Sequence, residues 1–541
     1  VRILGINGVF HDPAAALVVD GRIVAAAEEE RFSRRKHGKQ AVPFSTWELP
    51  VQSARWCLHQ AGLQPADLDA VGYSYDPRLM DLSSQAPAEL AGLDRDWEYL
   101  RTMYARRAPQ FLKTALPGLD PAKVRFVRHH VAHAASSALA APSRDCAVLV
   151  VDGRGERTSM LAGVYTDDKL DVLATQELPH SLGLLYEDLT EHLGFQRSSD
   201  EYKVMAMASY GKPRFVEQFR RLVYLTDDGG FRTHPPDWSS FGSGWDDRVD
   251  LACSVQRVVE EVLLGLVHWL RARTDHETLC LAGGVALNCV ANSILHRQGG
   301  FERVWVQPAA GDSGTALGAA LALAAEAGEA ITPMGSAALG RGWSDDEIVR
   351  ALQDAAVPFE RPADLATAVG EALADNQLIG WFQGRSEFGP RALGQRSLLA
   401  DPRHVDNLER LNNVKGREQF RPVAPMVLAE RASDIFSGGP IPSPYMLFVH
   451  DVAAQWRDLI PAVTHVDGTA RIQTVAPDDH PLLHNTIRVF AEATGVPVVV
   501  NTSFNTAGRP MVDSPRDALE CFGSAPIDVL AIGPCLVRRP R

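Results

Sequence analysis

His129 and His133 are the first residues whose type and spacing point to chemistry. They stand four apart in Arg128-His129-His130-Val131-Ala132-His133. Residues i and i+4 share one helix face, so the pair can present two imidazoles to a single ion. His130 falls on a different face. Two imidazoles do not complete a metal site, so a carboxylate must come from elsewhere. Asp312, at the Gly-rich start of a helix in Pro308-Ala-Ala-Gly-Asp312-Ser-Gly-Thr315, is one candidate. Asp152, at the end of an apolar strand, is the second. Two histidines with carboxylate suit iron or zinc. The plainer alternative is a capping Asp312 with histidines that pack or hydrogen-bond.

His11-Asp12 lies in the loop after the first strand. A histidine there can take a proton from a hydroxyl or simply cap a turn. Gly283-Gly284-Val-Ala-Leu-Asn288 follows a strand and opens a helix. Without Cβ atoms its N–H groups can approach a phosphate, and a tight packing turn fits equally well.

A different group lies toward the C-terminus. Read as extended chain, Lys415-Gly416-Arg417 puts two cations on one side, and Ser503-Phe504-Asn505 does the same for two neutral polar groups. Arg391, Arg396, Arg421 and Arg471 add positive charge. Such a cluster suits triphosphate and acyl phosphate, because arginine binds as a fork and lysine as a point charge. Surface salt bridging accounts for one or two of these residues and less easily for all.

The elements that must position these residues follow from pattern. Arg2 to Asn7, Ala15 to Asp20 and Ile23 to Ala27 read as a three-strand meander with a turn at Asp20-Gly21. Ala147 to Asp152, Met160 to Tyr165 and Leu170 to Thr175 repeat it. Each first strand ends in a polar residue and glycine, Asn7-Gly8 and Asp152-Gly153. Two matching meanders predict a duplicated α/β domain. Helices are expected over Val51 to Ala61, Leu251 to Arg273, Asn288 to His296 and Gly311 to Ala325, and a short strand over Leu279 to Ala282. The Gly- and Pro-rich stretch from Ala327 to Ser344 marks a boundary. Two domains are therefore expected, 1–335 and 345–541, the second of mixed α/β type.

Bulk properties narrow the classes. The 541 residues are 45% hydrophobic and 22% charged, which is ordinary globular composition. A net charge of −13 disfavours a broad grip on nucleic acid. Seven scattered cysteines without a C-x-x-C pair fit a reduced compartment, and no targeting pattern opens the chain, so a cytoplasmic protein is expected. No apolar run is long enough to span a membrane.

Taken together, the motifs resemble a known family. The His129/His133 pair, the Gly283–Asn288 loop and Gly311-Asp312 look like the metal and nucleotide motifs of the universal tRNA-threonylcarbamoyl transferase domain. Lys415-x-Arg417 and Ser503-x-Asn505 look like nucleotide-site motifs of the enzyme that makes threonylcarbamoyl-adenylate. One chain carrying both resembles the nodulation-protein-U and antibiotic-tailoring O-carbamoyltransferases. The likeness extends through Asn7-Gly-Val-Phe-His11-Asp12, Glu201-Tyr-Lys-Val-Met-Ala-Met-Ala-Ser-Tyr-Gly211, Phe388-Gly-Pro-Arg391-Ala-Leu-Gly394, Arg421-Pro-Val-Ala-Pro425, His465-Val-Asp-Gly-Thr-Ala-Arg471 and Asn501-Thr-Ser-Phe-Asn505.

The resemblance implies an actin/hexokinase-like duplicated N-terminal domain and a C-terminal domain like the adenylate synthase. It implies ATP and carbamoyl phosphate as substrates, with Mg2+ accompanying ATP, and a carbamoyl-adenylate intermediate. Lys415, Arg417, Arg421 and Arg471, with Arg391, Asn501, Ser503 and Asn505, would form the nucleotide and carbamoyl-phosphate site. Fe2+ or another divalent ion would lie on His129, His133, Asp312 and Asp152. His11 would be the base for a small-molecule hydroxyl acceptor, with no nucleic-acid or membrane partner. The loops around Asp76 to Tyr104 and Leu222 to Trp245 would select that acceptor. A fused tRNA threonylcarbamoyl-transfer enzyme, a kinase on the same superfold and a non-catalytic nucleotide-binding protein are the alternatives.

Overall fold

In the computed structural model, which describes residues 1–38, 48–80 and 95–539, the chain divides into two units, Val1–Gly335 and Ser336–Arg541. In the first unit, β1 (Arg2–Asn7), β2 (Ala14–Val19) and β3 (Arg22–Glu28) form an antiparallel meander. Then β4 (Ala70–Tyr73) and β5 (Val124–Phe126) add in parallel on the other side of β1, giving the order β3-β2-β1-β4-β5.

The same path is traced again. A second antiparallel meander consists of β6 (Cys146–Val151), β7 (Thr158–Thr166) and β8 (Lys169–Glu177). After a hairpin of β9 (Val223–Leu225) and β10 (Phe231–Thr233), the strands β11 (Thr278–Ala282) and β12 (Arg303–Val306) add in parallel beside β6. The order β12-β11-β6-β7-β8 matches the first sheet strand for strand. The duplication read from the two meanders is therefore real, and it is the topology expected of an actin/hexokinase-like pair. Every residue of β6 is buried, as in a strand covered on both faces.

Four helices matter for the site: α1 (Arg95–Ala115), α2 (His129–Ala138), α3 (Trp245–Arg271) and α4 (Ser313–Glu326). The third starts earlier than its apolar periodicity suggests, because Asp246 and Asp247 favour a helix N-terminus. Asn288 lies outside its helix and caps it, its side chain accepting from the Ala291 N–H at 3.1 Å. The Ala- and Gly-rich α4 is buried along most of its length. Small residues let backbones approach closely. A Cβ on Gly318 would lie 1.7 Å from the Ala132 carbonyl oxygen of α2, and one on Gly5 of β1 would lie 1.8 Å from the Ala316 oxygen of α4.

The second unit is mixed α/β, as expected. Its strands are β13 (Ile379–Phe382), β14 (Arg396–Ala400), β15 (Ala424–Leu428), β16 (Phe436–Ser437), β17 (His450–Val452), β18 (Thr469–Ala470), β19 (Gln473–Val475), β20 (Val498–Ser503), β21 (Val529–Ile532) and β22 (Cys535–Arg538). Seven of them make one sheet in the order β19-β15-β20-β14-β13-β21-β22. Trp381, Phe490 and Phe504 anchor its core. Lys415 does not lie on an extended segment. It follows α5 (Asp406–Val414), and Gly416 then turns the chain at a φ of +54°. Among the described residues no helix is long and apolar enough to cross a membrane.

Because α4 fixes both Gly318 against α2 and Asp312 at its own start, the Gly318→Ala variant should lose about 1–3 kcal/mol or more of stability through overpacking. A denaturant titration followed by tryptophan fluorescence measures this; an unchanged midpoint would show that the α2–α4 contact has slack.

Candidate functional site

His129 opens α2 and His133 follows one turn later, on the same face. Asp152 stands at the end of β6 and Asp312 at the start of α4. The four side chains are buried, and one donor atom from each lies within 4.8 Å of all the others. Each Nε2 faces both carboxylates: His129 at 3.4 Å from Asp152 and Asp312, His133 at 3.5 Å from each. These separations are long for charge-assisted hydrogen bonds. Both Nε2 atoms are buried without a hydrogen-bond partner. Two orphaned imidazole nitrogens converging with two carboxylate oxygens fit a divalent ion. The Asp312 side chain makes no capping bond; its Oδ2 accepts from the His11 backbone N–H at 3.4 Å, and its Oδ1 faces the two histidines.

Neighbouring groups orient these donors. The Nδ1 of His129 meets the Ser74 carbonyl at 3.1 Å; a carbonyl can only accept, so Nδ1 carries a proton and Nε2 is the nitrogen left to face the carboxylates or an ion. Glu156 accepts from the His129 backbone N–H at 2.9 Å. The Gly284 N–H donates to Asp152 Oδ1 at 2.8 Å, leaving Oδ2 toward the histidines. That N–H is thus committed to a carboxylate rather than a phosphate. Gly283 has a φ of +92°, and a Cβ there would lie 2.2 Å from the Val151 carbonyl oxygen, so the loop is also a packing turn. Burial disfavours the charged form of His129, but Asp152 and Asp312 outweigh it and push the ring's pKa well up. Burial lowers that of His130 to about 4. Its Nδ1 bonds Thr158 Oγ1 at 2.7 Å and its Nε2 lies 3.7 Å from Asp152, so it flanks the cluster without joining it.

The loop after β1 brings His11 to this cluster. Asn7, fully buried, donates to the carbonyls of His11 and Asp12 at 3.0 Å each and so closes the loop. The His11 Nε2 lies 3.7 Å from Asp312 Oδ2. On its other side, Nδ1 meets Asp12 Oδ2 at 2.8 Å. Asp12 Oδ1 in turn meets His37 Nδ1 at 2.9 Å, and His37 Nε2 meets Ser199 Oγ at 2.8 Å. Burial alone would raise the Asp12 carboxyl, yet His37 and His11 hold it well below the usual carboxylate range. An ionised carboxylate only accepts, so both Nδ1 atoms donate to it.

In the second unit the structure assembles Lys415, Ser503 and Asn505. The Lys415 ammonium donates to the Ser503 carbonyl at 2.7 Å, to Ser503 Oγ at 2.8 Å and to Asn505 Oδ1. Asn412 links two further candidates, accepting from Arg417 Nε at 2.5 Å and donating to the Arg421 carbonyl at 3.1 Å. Arg421 also pairs with Glu418 at 3.5 Å. Asn501 is buried and donates to the Ala392 carbonyl at 2.8 Å, beside Arg391 in the chain, and to Gln473 at 3.3 Å. Arg471 is partly buried, its Nε without a hydrogen-bond partner. Arg396 is no part of an accessible cation cluster. It is fully buried, donates to the carbonyls of Gln383, Gln395, Arg341 and Gly384, and lies 3.8 Å over the Phe382 ring.

Of the loops expected to choose an acceptor, residues 81–94 lie outside the described residues. The loop after Leu222 forms the β9–β10 hairpin, with Tyr224, Leu225 and Trp245 exposed. Sequence reasoning missed Ser74, Glu156, His37 and Ser199. Each acts through a partner distant in the chain, and no local spacing announces it.

Comparisons with known proteins bear on the whole chain. A carbamoyltransferase N-terminus family model matches residues 2–238 and 237–321, and a carbamoyltransferase C-terminus model matches residues 370–539. Nodulation protein NolNO of Sinorhizobium fredii is 37% identical over 565 residues, covering 98% of this chain and 80% of that protein. Nodulation protein U of Rhizobium tropici is 30% identical, covering 94% of this chain and 92% of that protein. An uncharacterized Synechocystis protein, sll1178, is 38% identical and covers 98% and 95% respectively.

If the four donors hold an ion, His129→Ala and Asp312→Ala should each lower bound metal by at least about tenfold. Elemental analysis of the purified chains measures it, and unchanged metal in either variant removes that residue from the site.

Proposed function

The chain belongs to the carbamoyltransferase family, and from that premise we propose that it is an ATP-dependent O-carbamoyltransferase acting on a sugar hydroxyl of a natural product. The observation that carries the transfer step is the His11 ring beside the four-donor cluster, 3.7 Å from Asp312.

In this reading the second unit activates the carbamoyl group. Water first attacks the carbonyl carbon of carbamoyl phosphate, the bond to the phosphate oxygen breaks, and inorganic phosphate and carbamate form. The carbamate oxygen then attacks the α-phosphorus of ATP. Pyrophosphate leaves and carbamoyl adenylate remains. Lys415 supplies a point charge fixed by Ser503 and Asn505. Arg417, Arg421, Arg471 and Arg391 supply the remaining positive charge, with Asn501 bracing the strands beneath. Mg2+ offsets charge on ATP.

The first unit performs the transfer. A divalent ion held by His129, His133, Asp152 and Asp312, iron(II) in our reading, would polarise the adenylate. Asp12 accepts from His11 Nδ1, which leaves Nε2 with a lone pair directed toward the cluster side. Nε2 takes the acceptor's proton as its oxygen attacks the carbamoyl carbon, and AMP departs. His37 holds Asp12 from behind.

Incubation with ATP, carbamoyl phosphate and a panel of hydroxylated natural products tests the reading, with pyrophosphate release and product mass as readouts. Lys415→Ala and Arg417→Ala should lower pyrophosphate release at least about a hundredfold, and His11→Ala should spare it while lowering transfer about 10²–10⁴-fold. Pyrophosphate release that persists in both cation variants would refute the activation site. Loss of release in His11→Ala would refute its role as acceptor base.

A further inference from the structure

Phe10 holds a left-handed backbone at a φ of +61°, which is uncommon for a bulky residue. The strain places its ring edge-on to His129, with centroids 5.1 Å apart. Two guanidinium groups flank the same ring. Arg101 lies 4.9 Å and Arg154 5.3 Å from its centre. Arg154 follows the cluster residue Asp152 by two positions, and Arg101 comes from α1. Two cations therefore flank a ring that itself packs against His129 of the candidate metal centre.

Among the described residues, their charge is only half balanced. Both donate to one oxygen, Glu98 Oε1. The side chains of Arg101, Arg154 and Glu98 are 11%, 20% and 9% exposed, so little water offsets the excess. The Nε atoms of both arginines are buried and have no hydrogen-bond partner among the described residues. Other carboxylates nearby are engaged elsewhere. Glu187 accepts from Ser198 Oγ at 2.9 Å and pairs with Arg197 at 3.4 Å, and Glu156 accepts the backbone N–H groups of Asp76 and His129. A buried cation without its counter-charge is costly, and an arginine's fork of donors matches phosphate oxygens.

We propose that Arg101 and Arg154 form a phosphoryl-anion site beside the candidate metal centre. On the functional reading above, on which this last step rests, the anion is the phosphate of carbamoyl adenylate. When the acceptor oxygen bonds to the carbamoyl carbon, the bond from that carbon to the phosphate oxygen breaks. The electron pair goes to the phosphate of AMP, and the hydroxyl proton goes to His11. Negative charge thus grows on the phosphate as AMP leaves, and fixed donors aimed there favour the step. Glu98 moderates the pair, keeping the site from binding AMP too tightly to release it.

The test is calorimetric titration of the full-length Lys415→Ala chain with AMP and, separately, with inorganic phosphate; the Lys415 variant silences the nucleotide site of the second unit. Arg101→Gln and Arg154→Gln in that background should each weaken AMP binding about tenfold or more. Glu98→Gln should tighten it, a change of opposite sign that a folding defect does not produce. If Arg154→Gln fails to fold, Arg154→Lys keeps the charge, loses the fork and should still weaken binding. Unchanged AMP affinity in the arginine variants, or weaker affinity in Glu98→Gln, overturns the proposal. So does absence of AMP and phosphate binding in the Lys415→Ala chain itself. Pyrophosphate release by the wild-type chain is measured alongside. If release is absent while the arginine-dependent AMP binding is present, the adenylate reading fails and the anion site stands.

Discussion

Two carboxylates buried against two imidazoles set the terms for the first unit. Taking Asp152 and Asp312 out of water is tolerable only if positive charge or a metal ion meets them. The fold answers with His129 and His133 from one helix face, and with backbone and side-chain partners that fix how each donor points. Ser74 sets the His129 tautomer, and Gly284 turns one oxygen of Asp152 away so that the other faces the rings. Neither partner could do this unless the end of β6, the start of α2 and the start of α4 met at one place.

Duplication explains how they meet. The first strand of each sheet ends in a polar residue and a glycine, and the two ends contribute different things. Asn7, at the end of β1, closes a loop that carries His11, while the end of β6 carries Asp152 itself. One half of the duplicated domain thus supplies His11 and the other supplies a carboxylate of the four-donor cluster. The small residues of α4 bring the halves close, because Gly318 lies against α2 while the backbone at Ala316 lies against β1. A larger side chain at either contact would push Asp312 away from the histidines.

The parts of this site that were legible in the sequence are those with local signatures. The helical period exposed the His129/His133 pair, and strand and helix ends exposed Asp152 and Asp312. The duplicated meander was legible because each turn and strand repeats in order. What stayed hidden depends on tertiary neighbours. Lys415-Gly416-Arg417 looked extended by alternation, but Gly416 adopts a left-handed φ and ends a helix there. Arg396 looked like an available cation, but four backbone carbonyls and the Phe382 ring hold it in the core. Arg101 and Arg154 gave no signal at all, since only the fold brings residues 53 positions apart onto one carboxylate.

The two units handle buried positive charge differently, and the difference follows from side-chain chemistry. Lys415 is a compact ammonium whose donors are taken by Ser503 and Asn505, groups that carry no net charge. Its ammonium is therefore held in place by neutral oxygens, and on the proposed reading this suits a fixed point charge facing a polyphosphate. Arg101 and Arg154 share a single carboxylate, so about half their charge is cancelled and their planar forks keep donors in reserve. A site that must hold a nucleotide through attack at phosphorus benefits from the first arrangement. On the proposed adenylate reading, a site that must also let AMP go after the carbamoyl group has moved benefits from the second, because a partly neutralised pair stabilises the developing charge without trapping the product.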